Sequence, residues 1–270
     1  MTQYTVHGTQ HSLDLLFIGS GNAFAPASCW SGFLLNERYL FDAPPSALYA
    51  LKQANADLDK LDVILLSHFH GDHFFGLPFL LLEYAYPGAA GVRASRRTRD
   101  LTIVGPPGVA EKVEALIALA YPNLLTRDLG FARRYVEIEP GRSAEAAGLR
   151  IEALQMNHAI DTFPLSLGYR VETGGRRAAY TGDTAWTDAL VELGHGAEVF
   201  VTDCNYPSGF NNPEHLSLDE IAVLRDKLDE QTTIICTHLG HDQEPDLPRT
   251  VRAYDLARFS FPPLDTARGG

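Results

Sequence analysis

Ser67-His68-Phe69-His70-Gly71-Asp72-His73 decides how this chain is read. It follows directly on an apolar run, 62–66 (DVILL), that has the pattern of a buried strand. Four candidate ligands, His68, His70, Asp72 and His73, then fall within six residues. A tight turn at a strand's end is the local structure that can point all four into one space, and Gly71 eases so crowded a turn. Imidazole and carboxylate together suit first-row dications, zinc above all. Histidine is too uncommon for H-x-H-x-D-H to arise as simple helix capping. The stretch predicts a metal site at the edge where a strand gives way to a helix.

Outward from it, strands and helices alternate. The runs 13–18, 32–35, 39–42 and 101–104 are short, apolar or β-rich, and bounded by turn residues. So are 150–154, 165–171, 177–181, 198–202 and 232–236 in the second half. Helices are expected over 46–54, 109–120, 184–193 and 217–228, the last opened by a Ser217/Glu220 capping box. Another should run from the histidine loop through Tyr84 despite Pro78, stopped by Pro87-Gly88. No Pro/Gly/Ser linker separates the halves, so a single α/β domain of two packed β-layers flanked by helices is expected over 1–270.

Composition narrows the function. At 270 residues, 45% hydrophobic and 21% charged, the chain has globular composition. The longest greasy stretch, 74–82, is broken by Gly76 and Pro78, so no membrane span is expected. No secretory signal is legible, and Cys29, Cys204 and Cys236 are too scattered for a disulfide framework or a C-x-x-C zinc site, which makes the cytoplasm the expected compartment. Twenty-two basic against 34 acidic residues leave a net charge of −12, which weighs against a broad surface for extended nucleic acid. A short anionic substrate held locally by metal remains compatible. The segment 88–100 (GAAGVRASRRTRD), with Arg93, Arg96, Arg97 and Arg99, reads either as a solvated loop or as a basic rim beside an anion-binding cleft.

The histidine stretch, with its later landmarks, resembles the metallo-β-lactamase superfamily. His158 follows the run 150–154, where that family places its third histidine. Gly182-Asp183-Thr184 follows 177–181 and resembles the family's turn with a bridging aspartate. Cys236-Thr237-His238 resembles the last-histidine landmark. The likeness spans about 13–241 and implies the four-layer αβ/βα sandwich. It implies that His68, His70 and His158 hold one metal, that Asp72, His73 and His238 hold a second, and that Asp183 bridges them. Two Zn²⁺ are the implied cofactors, with Mn²⁺ or Fe²⁺ as alternatives. Such a pair can share a hydroxide, lower its pKa and polarise a scissile group, which is hydrolase chemistry.

Within the superfamily the likeness is to the ribonuclease Z-like branch of phosphodiesterases. It is carried by 16–21 (LFIGSG), by 158–170 (HAIDTFPLSLGYR), and by Asp203 with Glu214-His215-Leu216-Ser217. The resemblance implies catalytic roles for Asp72, His215 and Asp203, with His215 donating a proton to the leaving alkoxide and Asp203 orienting it. His241, three residues past His238, is read as supporting the ligands from behind, as facing the substrate, or as an exposed turn residue. One strand pair separates His158 from Asp183, without room for the arm with which tRNA-processing members grip tRNA. The expected substrate is therefore a small or short phosphodiester, and a tRNA 3′-end endonuclease is the lesser reading. A lactonase, carboxylic-ester or β-lactam hydrolase on the same metal core is the alternative enzyme class. For that class Phe74, Phe75, Phe79, Tyr84 and Tyr86 either line an apolar pocket or pack a core. A metal-bound sensor without turnover is disfavoured, because no ligand is lost. The family's frequent dimers leave a homodimer open.

Overall fold

The computed structural model describes residues 12–86, 97–160, 162 and 165–262. Six strands come first: β1 (Leu13–Gly19), β2 (Gly32–Leu35), β3 (Tyr39–Phe41), β4 (Val63–Leu65), β5 (Leu101–Gly105) and β6 (Arg133–Glu137). Seven more build a second sheet: β7 (Ser143–Ala146), β8 (Leu149–Met156), β9 (Ser166–Thr173), β10 (Arg176–Tyr180), β11 (Val199–Asp203), β12 (Thr233–Thr237) and β13 (Thr250–Arg252). Then β14 (Arg258–Phe261) returns to the first sheet and pairs antiparallel with β1. The orders are β14-β1-β2-β3-β4-β5-β6 and β13-β12-β11-β10-β9-β8-β7. The paired structure thus continues beyond the expected 13–241.

Side-chain alternation builds the layers. In β1, Leu13, Leu15 and Phe17 face the second sheet, while Leu16 and Ile18 face outward onto helices. In β8, Leu149, Ile151 and Ala153 face inward, and Leu154 and Met156 outward. Between the sheets Phe33 stacks on Phe41 with ring centroids 4.4 Å apart, and Tyr180 meets both edge-on. Helices α1 (Ala47–Gln53), α2 (Gly71–Phe74), α3 (Leu77–Ala85) and α4 (Val109–Ala120) belong to the first half. Their apolar residues, Leu51, Phe74, Leu80, Leu81, Val113 and Ile117 among them, cover the outer face of the first sheet. Helices α5 (Ala189–Gly194) and α6 (Leu218–Arg225) cover the second. This is the expected αβ/βα sandwich.

Three local expectations are corrected. The helix expected to run on from the histidine loop is broken at Phe75-Gly76. Pro78 cannot donate to the carbonyl of Phe74, so the ladder restarts with Pro78 in the first turn of α3. Gly76 meanwhile donates to Ala43 O at 2.8 Å and lies so close to Pro44 that a side chain there would collide with its carbonyl. The helix expected from Thr184 begins only at Ala189, because the Thr184 amide donates to Asp203 and Ala185 bridges to Asn157. Strands β6, β7, β13 and β14 were not expected; all four are edge strands, short and rich in polar residues, so none shows the continuous apolar run of the sheet interiors.

The arginine segment is a fourth correction. Arg93 and Arg96 lie outside the described residues, but Arg97 is only 2% exposed. Its guanidinium donates to the carbonyls of Leu58, Asp59, Arg99 and Asp100 and lies over the rings of Tyr84 and Phe131. Arg99 pairs with Asp62. Both sit at the N-terminal ends of β4 and β5, the sheet edge opposite the histidine motif, so the basic rim describes neither; Arg97 is also no solvated loop residue, whereas Arg99 is half exposed. Arg97→Ala should strand those carbonyls and open a void, lowering stability by roughly 2–4 kcal/mol in urea unfolding. A loss under about 0.5 kcal/mol would remove Arg97 from the structural core.

Candidate metal centre

The landmark residues converge where strands of both sheets end. His68 to His73 follow β4; His158 follows β8, Asp183 follows β10, and His238 follows β12. Three groups of candidate ligands share Asp183: His68, His70 and His158 with it, Asp72, His73 and His238 with it, and Asp203, His215 and His238 with it. The first two take up the seven expected ligands. In the first, His70 Nδ1 lies 3.0 Å from His68 Nε2 and 3.1 Å from His158 Nε2. In the second, His73 Nε2 is 3.2 Å from Asp183 Oδ1, and His238 Nε2 is 3.3 Å from Asp183 Oδ2 and 3.5 Å from Asp72 Oδ2. Donor atoms about 2.0–2.2 Å from a tetrahedral ion lie roughly 3.3–3.6 Å apart; the contacts of His238 fall in that range, and the others are 0.1–0.3 Å tighter.

Hydrogen bonding aims the lone pairs inward. His158 Nδ1 donates to Glu214 O at 2.9 Å and His73 Nδ1 to Asp42 Oδ2 at 2.8 Å. Ser67 Oγ donates to Asp42, leaving it to accept from His68 Nδ1 at 3.0 Å. With Nδ1 protonated, each ring turns a bare Nε2 toward the cluster, the tautomer a metal needs. His73 Nε2, Asp183 Oδ1 and His238 Nε2 are buried and make no hydrogen bond. Buried polar atoms without partners are costly, and a cation among them satisfies all three. The donor set therefore fits a divalent metal.

Charge points the same way. Burial pushes His68 and His70 below the usual imidazole value. It works against a charge on His73 as well, but the Asp183 and Asp42 carboxylates override it and raise that ring well above the usual value. Burial would raise Asp72 and Asp183; contacts with His238 and His73 hold both below the carboxylate range. Buried carboxylates at this spot demand positive charge.

Beside the cluster, His215 Nδ1 donates to Asp203 Oδ2 at 2.7 Å. The Asp203 carboxylate is fixed by the amides of Thr184 and Asn205, each at 3.0 Å. The His215 ring lies 4.9 Å from that of His158 and 5.1 Å from that of His238. Burial disfavours its protonation, yet Asp203 outweighs that and pushes it up to about 9. All nine expected site residues are thus brought together.

Residues 37–239 match the model of the beta-lactamase superfamily domain. The chain belongs to the beta-lactamase superfamily. Among curated relatives, ribonuclease Z of Staphylococcus saprophyticus is 33% identical over 159 residues, covering 59% of this chain and 45% of that protein. Ribonuclease Z of Listeria innocua is 31% identical over 186 residues, covering 66% and 55%. The match thus spans about half the length of these relatives. Among solved structures, the metallo-β-lactamase fold protein YhfI of Bacillus subtilis superposes with a TM-score of 0.75 at 19% identity, covering 93% of this chain and all of that one. Human tRNase Z, short form, superposes with a TM-score of 0.72 at 20% identity, covering 92% and 99%. At these identities the two structures bear on the fold alone.

The superfamily site also contains a residue that sequence reading missed. Asp42, fully buried at the end of β3, accepts from Ser67 N (2.8 Å), Ser67 Oγ (2.9 Å), His73 Nδ1 (2.8 Å) and Tyr180 OH (2.6 Å). It therefore fixes His73 directly and His68 through Ser67, one ring in each of the first two groups. Its backbone is left-handed, φ 57°, as is that of His238, φ 56°, a conformation that costs energy in residues with a side chain. A buried acid closing an apolar strand (YLFD) was the available signal. Asp42→Asn should weaken metal binding by roughly 10–100-fold in chelator competition, with circular dichroism unchanged. Unchanged affinity would reduce Asp42 to a packing residue. His241 donates from Nε2 to Cys204 O at 3.1 Å and accepts the Gln243 amide, so it is the turn residue. His195 caps α5 at the surface; His7 and His11 lie outside the described residues. Phe74 and Tyr84 pack in the core, whereas Phe75, Phe79 and Tyr86 are exposed.

Proposed function

We propose that this superfamily member hydrolyses phosphodiesters of small or short substrates with a pair of dications, zinc by preference and Mn²⁺ or Fe²⁺ as alternatives. His68, His70 and His158 would hold one and Asp72, His73 and His238 the other, with Asp183 shared. Dications bound there supply Lewis acidity to the phosphoryl oxygens and acidify the attacking water. Asp72, more exposed than Asp183 at 15% against 3%, orients that water and passes its proton toward solvent. The water oxygen bonds to phosphorus as the bond to the leaving alcohol breaks. His215 gives its Nε2 proton to that alcohol, and Asp203 holds the ring by Nδ1 throughout.

The observation that carries this reading is the Asp203–His215 pair against the metal-ligand rings: a leaving alkoxide needs a proton there, and a buried carboxylate positions the donor. Among the described residues between His158 and Asp183, the paired structure is the β9–β10 hairpin, which supports a short substrate. The relatives' name, ribonuclease Z, places an RNA 3′ end among the substrates to be tried. Metal analysis of the purified protein should give about two ions per chain; a single tight ion with no second site on titration would overturn the paired-metal arrangement. Loaded protein should cleave bis(p-nitrophenyl) phosphate and a dinucleotide faster than a p-nitrophenyl monoester, a lactone or a β-lactam. Preference for the lactone or the β-lactam would overturn the phosphodiester reading.

A further inference from the structure

A row of rings leads out of the metal centre. His238 and His215 lie nearly parallel, 5.1 Å apart; Tyr206 follows at 6.4 Å from His215, and Phe210 at 6.1 Å from Tyr206, within 17° of parallel. Exposure rises along it, from buried His238 to Phe210 at 57%. The outer pair is held in place on a built loop. Tyr206 exchanges main-chain bonds with Leu216 and Leu218, and its hydroxyl accepts from Asn212. Gly209, at φ 86°, makes the turn and donates to Asp219, and the Ser208 amide donates to Gln243. An exposed phenylalanine on a loop fixed at this many points is pre-organised for a flat partner.

Charge selects the partner further. Glu214 adjoins His215 and Asp219 anchors the loop, while Asp242, next to Gln243, is paired with Arg252. Additional phosphates on this side would be repelled. His215 marks it as the side where the alcohol departs, an assignment that rests on the hydrolase reading above.

We infer that Tyr206 and Phe210 form a stacking platform for the leaving group, so that the preferred substrates are phosphodiesters whose departing alcohol carries an uncharged aromatic ring, aryl or nucleobase. The test uses two matched pairs, benzyl against cyclohexylmethyl methyl phosphate, and methyl adenosine-5′-phosphate against methyl ribose-5-phosphate. Wild type should favour the aromatic member by roughly five- to a hundredfold in kcat/KM, the range of one stacked ring. The benzyl and adenosyl arms tell an aryl preference from a nucleobase preference. Phe210→Ala should abolish the preference while leaving the cyclohexylmethyl and ribosyl rates nearly unchanged, and Tyr206→Leu should act in the same direction. Saturation-transfer NMR should show adenosine or benzyl alcohol bound to wild type and released in Phe210→Ala. Equal losses on both members of a pair, or a preference that survives Phe210→Ala, would overturn the platform. If no diester is cleaved, the hydrolase reading fails by itself; ring-proton transfer lost in Phe210→Ala then supports the platform, and no transfer to either alcohol overturns it.

Discussion

Asp183→Ala should strip the protein of metal at both positions. One carboxylate closes both expected ligand groups, with His158 Nε2 of the first 3.7 Å from Asp183 Oδ2 and His73 Nε2 of the second 3.2 Å from Asp183 Oδ1. Its removal takes one of four candidate ligands from each group and leaves two cations facing each other without the charge between them. The fall in affinity should exceed the roughly 10–100-fold typical of a supporting contact, and phosphodiester turnover should fall with it. Dialysis against buffered zinc followed by metal analysis reads the first effect, and initial rates at saturating metal read the second. A variant that keeps two ions and most of its activity would show that Asp183 is not shared. The ligands sit at strand ends, so the sheets should hold their far-ultraviolet spectrum.

His215→Ala should behave differently. It belongs to neither group of expected ligands, and in the third group its Nδ1 is already committed to Asp203, so the metals should stay. The rate loss should depend on the alcohol that departs. An alkoxide of high pKa requires the proton, so its loss should approach the roughly 10²–10⁴-fold typical of a general acid. A p-nitrophenolate leaves without help, and its loss should be much smaller. Rates on both substrates, measured after the metal content is checked, separate the roles. Equal losses would assign His215 to binding or positioning the phosphate, and no loss on either would return it to the surface.

Much of the candidate site was legible because its donors are local or follow strands. His68 to His73 form one turn, and His158, Asp183 and His238 each close an apolar run whose strand character shows in the sequence. The four-layer fold came with them. Asp42 was hidden because its partners are remote: Tyr180 is 138 residues away and His73 is 31. Nothing in YLFDA says that four donors will meet there. Arg97 was misread for the opposite reason. Its neighbours in sequence are polar and charged, so local composition spoke for solvent, while Leu58 and Phe131 supplied a buried seat from elsewhere. The break at Gly76 and the delayed start of α5 show the same competition, in which main-chain bonds to Ala43 and Asp203 prevail over helix propensity.

Among the described residues, the last strand in chain order pairs with the first. Because β14 completes the sheet beside β1, a nascent chain on the ribosome carries β1 with an open edge until Phe261 has emerged. Asp255, which grips the amides of Ser20 and Cys29, arrives just as late. For most of translation, Leu13, Leu15 and Phe17 belong to a sheet whose rim can still pair with a neighbouring chain. The order of synthesis thus leaves completion of the sheet beside β1 to residues translated long after it, and places the hazard of mispairing at the ribosome exit rather than in the folded domain.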